Sequence, residues 1–241
     1  MKKTLPLMTA LLILCLTASA CSAPAANPSA APAADQPTLP PLPIGTPTPE
    51  PTHTPVTPLT GTSAYWIVDL TQSNPELYLA DSYETSNEQV AASRSNSDEY
   101  LQLLQTWGRV TGSVRWYVHQ QGCGYTGGVR EVLMQTVQYQ TVDGAAAAFE
   151  YSRKEDETQS GYTLLSGADL PGSVAYRTDS HPVDACPNAG ESASVRILFL
   201  RANAVGMVQV SAANGAQSAD ALNAAVQDIA RQMDARMLGN Y

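Results

Sequence analysis

Residues 194–211 read SVRILFLRANAVGMVQVS, two short apolar runs on either side of Arg201-Ala202-Asn203. The runs, Ser194–Leu200 and Val205–Ser211, are rich in the β-branched and large apolar residues that favour strands. Ala202-Asn203 between them suits a tight turn. The stretch therefore predicts a β-hairpin.

A helix is predicted to follow this hairpin, beginning at Ser218 or Ala219. Its apolar residues recur at helical spacing and form one core-facing stripe, consisting of Leu222, Ala225, Val226, Ile229, Met233 and Met237. A hairpin followed by a helix with one apolar face indicates a sheet that carries a packed helix.

Upstream of the hairpin, helix and strand patterns fall in groups and do not alternate regularly. A capped helix starts at residues 96–99 and stops at Gly108, and a second helix runs from Asp143 through about residue 157. Strands are predicted at residues 65–68, 110–119, 129–141, 162–165 and 173–177, whereas residues 80–96 are polar and unassigned. This order predicts an α+β fold, with about three helices packed on a mainly antiparallel sheet.

Proline separates this block from the start of the chain, since twelve of the 17 prolines lie between Pro24 and Pro58. Proline removes backbone donors, and few apolar side chains remain there to offset the entropy of ordering. Residues 21–60 are therefore predicted to be a disordered tether. Residues 61–241 are predicted to be a single α+β extracytoplasmic domain, because about 180 residues suffice for one core.

The first residues have the features of a secretory signal. Lys2 and Lys3 precede a short apolar stretch, Leu5–Leu16, and Ala18-Ser19-Ala20-Cys21 follows. A Cys after small residues is typical of a bacterial lipoprotein signal, although the usual pattern has Leu where this chain has Ala18. We predict that residues 1–20 are removed and that acylated Cys21 anchors the protein to the cell membrane on its extracytoplasmic side. Ordinary secretion with cleavage near Ala20 is the alternative.

Charge and motifs narrow the classes of function. The net charge of −9 argues against nucleic-acid binding, since there is no basic surface to release counterions. The sequence lacks the Gly-x-Ser-x-Gly motif of hydrolases, the His-Glu-x-x-His motif of zinc proteases and the Gly-rich phosphate-binding loop. Gly122-x-Gly124-x-x-Gly127 matches the spacing of a dinucleotide-binding motif, but a predicted strand follows it where that motif requires a helix. Glu155-Asp156-Glu157 is interpreted as a solvated helix end. We predict a non-enzymatic protein without a cofactor.

Two cysteines, Cys123 and Cys186, remain in the predicted domain, each in a loop that contains Gly or Pro. Outside the cytoplasm such a pair favours a disulfide. A zinc site that also uses His119 and His181 is the competing interpretation, but the spacing of the four residues is not typical of structural zinc. The disulfide is preferred, and no metal is predicted.

The same disulfide would bring His119, His181 and Tyr125 to one rim, and this rim is the candidate site for a ligand or partner. Arg130 flanks the loop and can meet an anionic group. Tyr162 follows a glycine, which exposes an aromatic side chain, and tyrosine gives contact area at low entropic cost. These five residues are the candidate binding residues.

The second half of the chain contains two characteristic stretches, LPGSVAYR (residues 170–177) and VRILFLRANAV (residues 195–205). Over about residues 108–237 it resembles the extracellular sensor-like domains of actinobacterial Ser/Thr kinases and related lipoproteins. It is also similar, more broadly, to small α+β lipoproteins with a PsbP-like fold. The first resemblance implies a sensor-like domain. Those domains usually carry two disulfides, where this one has a single Cys pair, and neither resemblance supplies catalytic residues.

The leading hypothesis is therefore a lipid-anchored, non-catalytic domain that binds an unknown protein or small molecule. A structural or assembly lipoprotein that acts through protein–protein contacts is the first alternative. A hydrolase with a site near His119 and His181 is the second. A pocket beside the cysteines would favour ligand binding, and a flat Tyr-rich face would favour assembly.

Overall fold

One antiparallel sheet of seven strands dominates the part of the chain that this computed structural model describes, residues 57–158, 161–166, 169–181 and 192–239. In chain order the strands are β1 (Leu77–Thr85), β2 (Arg109–His119), β3 (Val129–Tyr139), β4 (Thr163–Leu165), β5 (Ser173–His181), β6 (Ser192–Arg201) and β7 (Ala204–Ala213). Their order across the sheet is β1-β2-β3-β7-β6-β5-β4, and each neighbouring pair is antiparallel.

Helices cover both faces of this sheet. They are α1 (Ser63–Trp66), α2 (Asn87–Ala92), α3 (Ser97–Thr106), α4 (Val142–Thr158) and α5 (Ala219–Met237). Successive residues of β6 point to opposite faces: Ile197 is in the core with the apolar stripe of α5, and Leu198 is in the core with Phe149 of α4. We call these two surfaces the α5 face and the α4 face.

The predicted α+β class is confirmed. The predicted hairpin is β6–β7, where Ala202 takes the positive φ of 45° that the tight turn needs. Ser218 caps α5 by accepting a hydrogen bond from the backbone N–H of Ala221 at 3.1 Å.

Residues 65–68 do not form the predicted strand. The short helix α1 ends at Trp66, and the buried residues Ile67 and Val68 follow as a segment outside the sheet. Arginine side chains satisfy the backbone here, since Arg115 and Arg236 both donate to the carbonyl oxygen of Ile67. An apolar run whose carbonyls find side-chain donors does not need a neighbouring strand.

The polar stretch that the sequence left unassigned, residues 80–96, contains most of β1 and all of α2. β1 lies at the edge of the sheet, and of its residues only Leu77 is buried. Ser86 and Gln89 form a capping box that starts α2.

None of the helices in the described ranges is long and apolar enough to cross a membrane. The predicted signal peptide, Cys21, most of the predicted tether and Cys186 lie outside the described residues. The structure describes the backbone but not the side chains of Cys123 and His181.

Candidate ligand-binding site

Three of the predicted site residues meet at one end of the sheet, where β2 passes into β3 through a 3-10 turn at Gly122–Gly124. The imidazole of His119 is stacked on the ring of Tyr125, with ring centroids 3.5 Å apart and planes 3° from parallel. His119 Nδ1 accepts a hydrogen bond from the Gln121 N–H at 3.1 Å, and the His119 side chain is only 4% exposed. His119 therefore packs the loop from inside.

Arg130 belongs to the same cluster and is 2% exposed. Its Nε donates to the carbonyl oxygen of Tyr125 at 3.0 Å, and its Nη1 lies 3.4 Å from Ser192 Oγ. The backbone of His181 pairs with Ser192, so His181 reaches the same end of the sheet. Burial gives His119 and Arg130 a structural role in holding this loop.

Tyr125 is the member of this cluster that borders a cavity. A cavity of about 260 Å³ on the α5 face is lined by Tyr125, Glu76 and Gln217 and by apolar side chains that include Leu70 and Ile229. We call it the end pocket. The end pocket lies beside the Cys123 loop, but its volume is below the 300–1,000 Å³ that is common for ligand sites.

Tyr162 lies apart from the other predicted residues, on the α4 face. Its ring is 6.4 Å from the ring of Tyr176, and the Arg196 guanidinium lies 5.5 Å from its centroid. Burial raises the pKa of Tyr162, and the positive charge of Arg196 opposes that rise. Tyr162 thus lies beside Arg196, which lines a second cavity, but Tyr162 itself is not one of the lining residues of that cavity.

This second cavity, the sheet pocket, has a volume of about 730 Å³. Its floor is the α4 face of the sheet, including Val114, Leu133, Val137 and Met207. Residues of β1, α2, α3 and α4 form its walls. Ligand pockets commonly measure 300–1,000 Å³ and combine an apolar lining with a few polar groups.

Asp156 and Arg196 form the most buried ion pair of the sheet pocket. Arg196 Nη1 donates to Asp156 Oδ1 at 2.8 Å, and its Nε and Nη2 both donate to Gln209 Oε1, at 3.0 and 2.9 Å. Asp156 is 4% exposed, and its Oδ2 has no hydrogen-bond partner among the described residues. Burial raises the pKa of Asp156, and Arg196 limits the rise.

A second ion pair joins the segment after α2 to α4. Arg94 donates from Nη1 and Nη2 to both carboxylate oxygens of Glu155, at 3.0 and 2.9 Å. The same guanidinium lies 4.8 Å from the ring centroid of Tyr100. Both partners of this pair are partly exposed, so the pair belongs to the outer part of the pocket wall.

Arg109 is the third arginine of the sheet pocket and is 5% exposed. Its Nη1 donates to the Thr85 carbonyl oxygen at 3.0 Å and to Asn87 Oδ1 at 2.9 Å, and its Nη2 donates to Thr85 Oγ1 at 2.5 Å. Burial lowers the pKa of Arg109, and the buried phenols of Tyr139 and Tyr100 lie close enough to oppose this.

Sequence reasoning missed the sheet pocket because it places the acids of residues 155–157 at a solvated helix end and gives the arginines of the pocket no role. Asp156 was interpreted as part of a solvated helix end, but it lies on the inward side of α4 with Phe149 and Ser152. The spacing of these three residues, at three to four positions, is the signal that could have identified Asp156. Arg109 directly follows Gly108, where the predicted helix stops, and no periodic pattern in the sequence indicates that its side chain is buried.

No cluster of three or more His, Cys, Asp or Glu residues that could hold a metal occurs in the described part of the chain. The described lining of the sheet pocket contains neither His nor Cys. Of the three carboxylates in this lining, those at positions 155 and 156 are paired with arginines, and that of Glu84 is exposed. This chemistry suits recognition of a ligand through hydrogen bonds and charge.

No protein-family model matches the sequence, and no curated protein matches it. Among solved structures, the chain is similar to the extracellular domain of PknH from Mycobacterium tuberculosis, with 13% identity and a TM-score of 0.48. The match covers 78% of this chain and 99% of that domain. At this low similarity, the function of the present chain has to be inferred from its own residues.

Proposed function

We propose that this chain is a non-catalytic, sensor-like domain that binds a small molecule in the sheet pocket. The observation that carries the proposal is the cavity of about 730 Å³, which has an apolar floor and three arginines in its lining. Its size is that of a site for a drug-sized molecule, whereas the end pocket holds about a third of that volume.

The polar groups of the pocket are held in place before any ligand arrives. Arg196 is fixed by Asp156 and Gln209, and Arg94 is fixed by Glu155 in a bidentate pair. Such preorganisation favours binding, because fewer side chains have to be ordered when a ligand enters.

The absence of catalysis is part of the proposal. A hydrolase near His119 would need an accessible imidazole, but the ring is buried against Tyr125 and its Nδ1 accepts from a backbone N–H. A general base must reach the proton that it abstracts. The burial of His119 therefore favours the binding role.

We further propose that acylated Cys21 holds the domain on the extracytoplasmic side of a membrane. The support comes from the sequence alone: a basic start, a short apolar stretch and small residues before Cys21. An acidic chain with a net charge of −9 is poorly suited to binding anionic lipid directly. A lipid anchor would provide the attachment without using the protein surface.

The ligand site can be tested by screening a library of small aliphatic and aromatic fragments against the ¹⁵N-labelled purified chain. Hits are expected to shift the backbone amide signals of Tyr100, Arg109 and Gln135. Leu133→Trp should fill the pocket and abolish these shifts, whereas Leu164→Trp, at an exposed position of β4, should leave them unchanged. Hits that survive Leu133→Trp or map only to residues 125–128 would contradict the proposal.

Partner binding at β1 is the second candidate function. β1 is an edge strand, and Tyr78, Leu79 and Tyr83 on it are exposed. An exposed edge can accept a strand from another protein, but the irregularity between Leu79 and Asp81 interrupts the pairing pattern. A photo-crosslinker at Tyr78 would join a specific partner in intact cells, and the same group at Leu164 would not.

A further inference from the structure

Arg109 differs from the other arginines of the sheet pocket in its partners. Arg94 is paired with Glu155 and Arg196 with Asp156, whereas the oxygens that Arg109 contacts among the described residues are all neutral. A buried charge without a counterion carries a large desolvation cost. An anion that entered the pocket would offset that cost.

The guanidinium of Arg109 is held in a defined position. Its head group lies over Gly112, where a Cβ atom would come within 2.5 Å of Nη2 and 2.7 Å of Thr85 Oγ1. The glycine therefore provides the space that the head group occupies. Thr85 and Asn87 fix it from the other side through three hydrogen bonds.

These three hydrogen bonds use only part of the donor capacity of Arg109. A guanidinium has five N–H groups, and Nε together with one N–H of Nη2 has no partner among the described residues. An arginine fork of this kind matches the two oxygens of a carboxylate.

The surroundings of Arg109 favour an anion joined to an apolar body. Tyr100, Tyr139 and Leu104 line the pocket together with Arg109, and all three are buried. An ionic hydrogen bond is stronger in such a setting than in water. Glu84 and Glu88 adjoin the Arg109 partners Thr85 and Asn87 in sequence, and the charge of Glu88 favours the protonated form of Arg109. Both acids are exposed, so they are solvated and compensate a buried cation poorly.

We propose that the sheet pocket selects an amphipathic carboxylate, with its anionic group on Arg109 and its apolar body over Val114, Leu133 and Val137. This inference rests on the proposed function and specifies the ligand class of the same site. A fatty acid or an aromatic acid of moderate size has this chemistry.

Decanoate and decanol are suitable probes, because they share the apolar chain and differ in charge. Titration of the purified chain at pH 7 by calorimetry should show decanoate binding at least tenfold more tightly than decanol. Arg109→Met should weaken decanoate binding at least tenfold and decanol binding less than twofold. Arg231→Met, which removes an equal charge from the exposed surface of α5 outside the pocket, should leave decanoate binding unchanged.

Because Arg109 also holds β1 to β2, Gly112→Ala serves as a second variant that keeps this side chain. Its methyl group displaces the guanidinium without removing the charge. It should weaken decanoate binding and leave decanol binding unchanged. Equal binding of the two probes by the wild-type chain, or equal losses in Arg109→Met and Arg231→Met, would overturn the carboxylate inference alone. Failure of both probes to bind, together with fragments that bypass the sheet pocket, would overturn the proposed function as well.

Discussion

His119 and Tyr125 lie face to face, with ring centroids 3.5 Å apart and planes 3° from parallel. The stack closes the β2–β3 loop over the end of the sheet, and Arg130 strengthens it through the carbonyl oxygen of Tyr125. His119 could otherwise serve as a proton donor and Arg130 as an anion receptor, but both side chains are used to hold this loop. The polar side chains that line a cavity of ligand size are those of the sheet pocket.

Replacing Tyr125 by Ala should loosen this loop. The substitution removes a ring contact of about 0.5–1.5 kcal/mol, so amide hydrogen exchange in residues 120–128 should become several-fold faster. Tyr125→Phe keeps the stacked ring and should exchange like the wild-type protein. Unchanged protection in the Ala variant would mean that the stack does not hold the loop.

Gly206→Ala should destabilise the core, because the new methyl group would overlap the ring of Phe199, which is fully buried. Overpacking of this kind costs about 1–3 kcal/mol, which urea denaturation can measure. Gly124→Ala is the matched control, since its Cβ would have no neighbour within 4 Å. Similar urea midpoints for the two variants would contradict the tight contact.

Asp156 should make stability depend on pH. Burial raises its pKa in the folded state above the ordinary value of an aspartate, so the folded protein keeps this proton to a higher pH than the unfolded chain does. Between those two pKa values the native state binds more protons, and stability falls as pH rises. The free energy of unfolding of the wild-type protein should therefore decline relative to that of Asp156→Asn as pH rises from 4. Parallel curves for the two proteins would contradict this.

The disulfide between Cys123 and Cys186 remains a prediction from the sequence. Thiol labelling of the denatured, unreduced mature protein should detect no free cysteine. A bridge that closes about 60 residues contributes on the order of 4 kcal/mol, so a double Cys→Ser variant should be destabilised by a comparable amount. Reducing agent should weaken the wild-type protein and have no effect on this variant. Two reactive thiols in the wild-type protein would exclude the bridge.

The lipid anchor can be tested by cell fractionation. Cys21→Ala should release the protein from membranes, because the acylated residue is the predicted attachment point. Cys15→Ala should remain in the membrane fraction, since Cys15 lies within the predicted signal peptide. Sedimentation of the Cys21 variant with membranes would show that another feature attaches the protein.

The elements that can be predicted from the sequence are those whose own residues carry the pattern. The β6–β7 hairpin and α5 carry their own signals, namely apolar runs, a turn and the cap Ser218, and the structure contains them within a few residues of the predicted bounds. β1 carries no such signal, because both of its faces are exposed and its polar residues do not alternate with apolar ones. The backbone hydrogen bonds to β2 make this segment a strand, although its own sequence pattern does not indicate one.

The site was less predictable, because its residues come from segments far apart in the chain. Sequence adjacency groups His119, Tyr125 and Arg130, which are in contact in the structure, but it could not indicate that two of them are buried. Arg109, Asp156 and Arg196 meet only after the sheet and α4 have packed. Buried polar residues of this kind resemble surface residues in sequence, since their burial depends on tertiary contacts.

The strand order has a consequence for how the chain folds. Within the described sheet, every neighbouring pair except β3–β7 joins strands that are consecutive in the chain, so two halves can form from local hairpins. β3 and β7 are distant in sequence, and Val132 pairs with Val210. A chain that emerges with its N-terminus first therefore keeps the edge of β3 uncovered until β7 follows, and non-local pairing of this kind is slow. During that interval β3 is the segment that a chaperone would have to shield from aggregation.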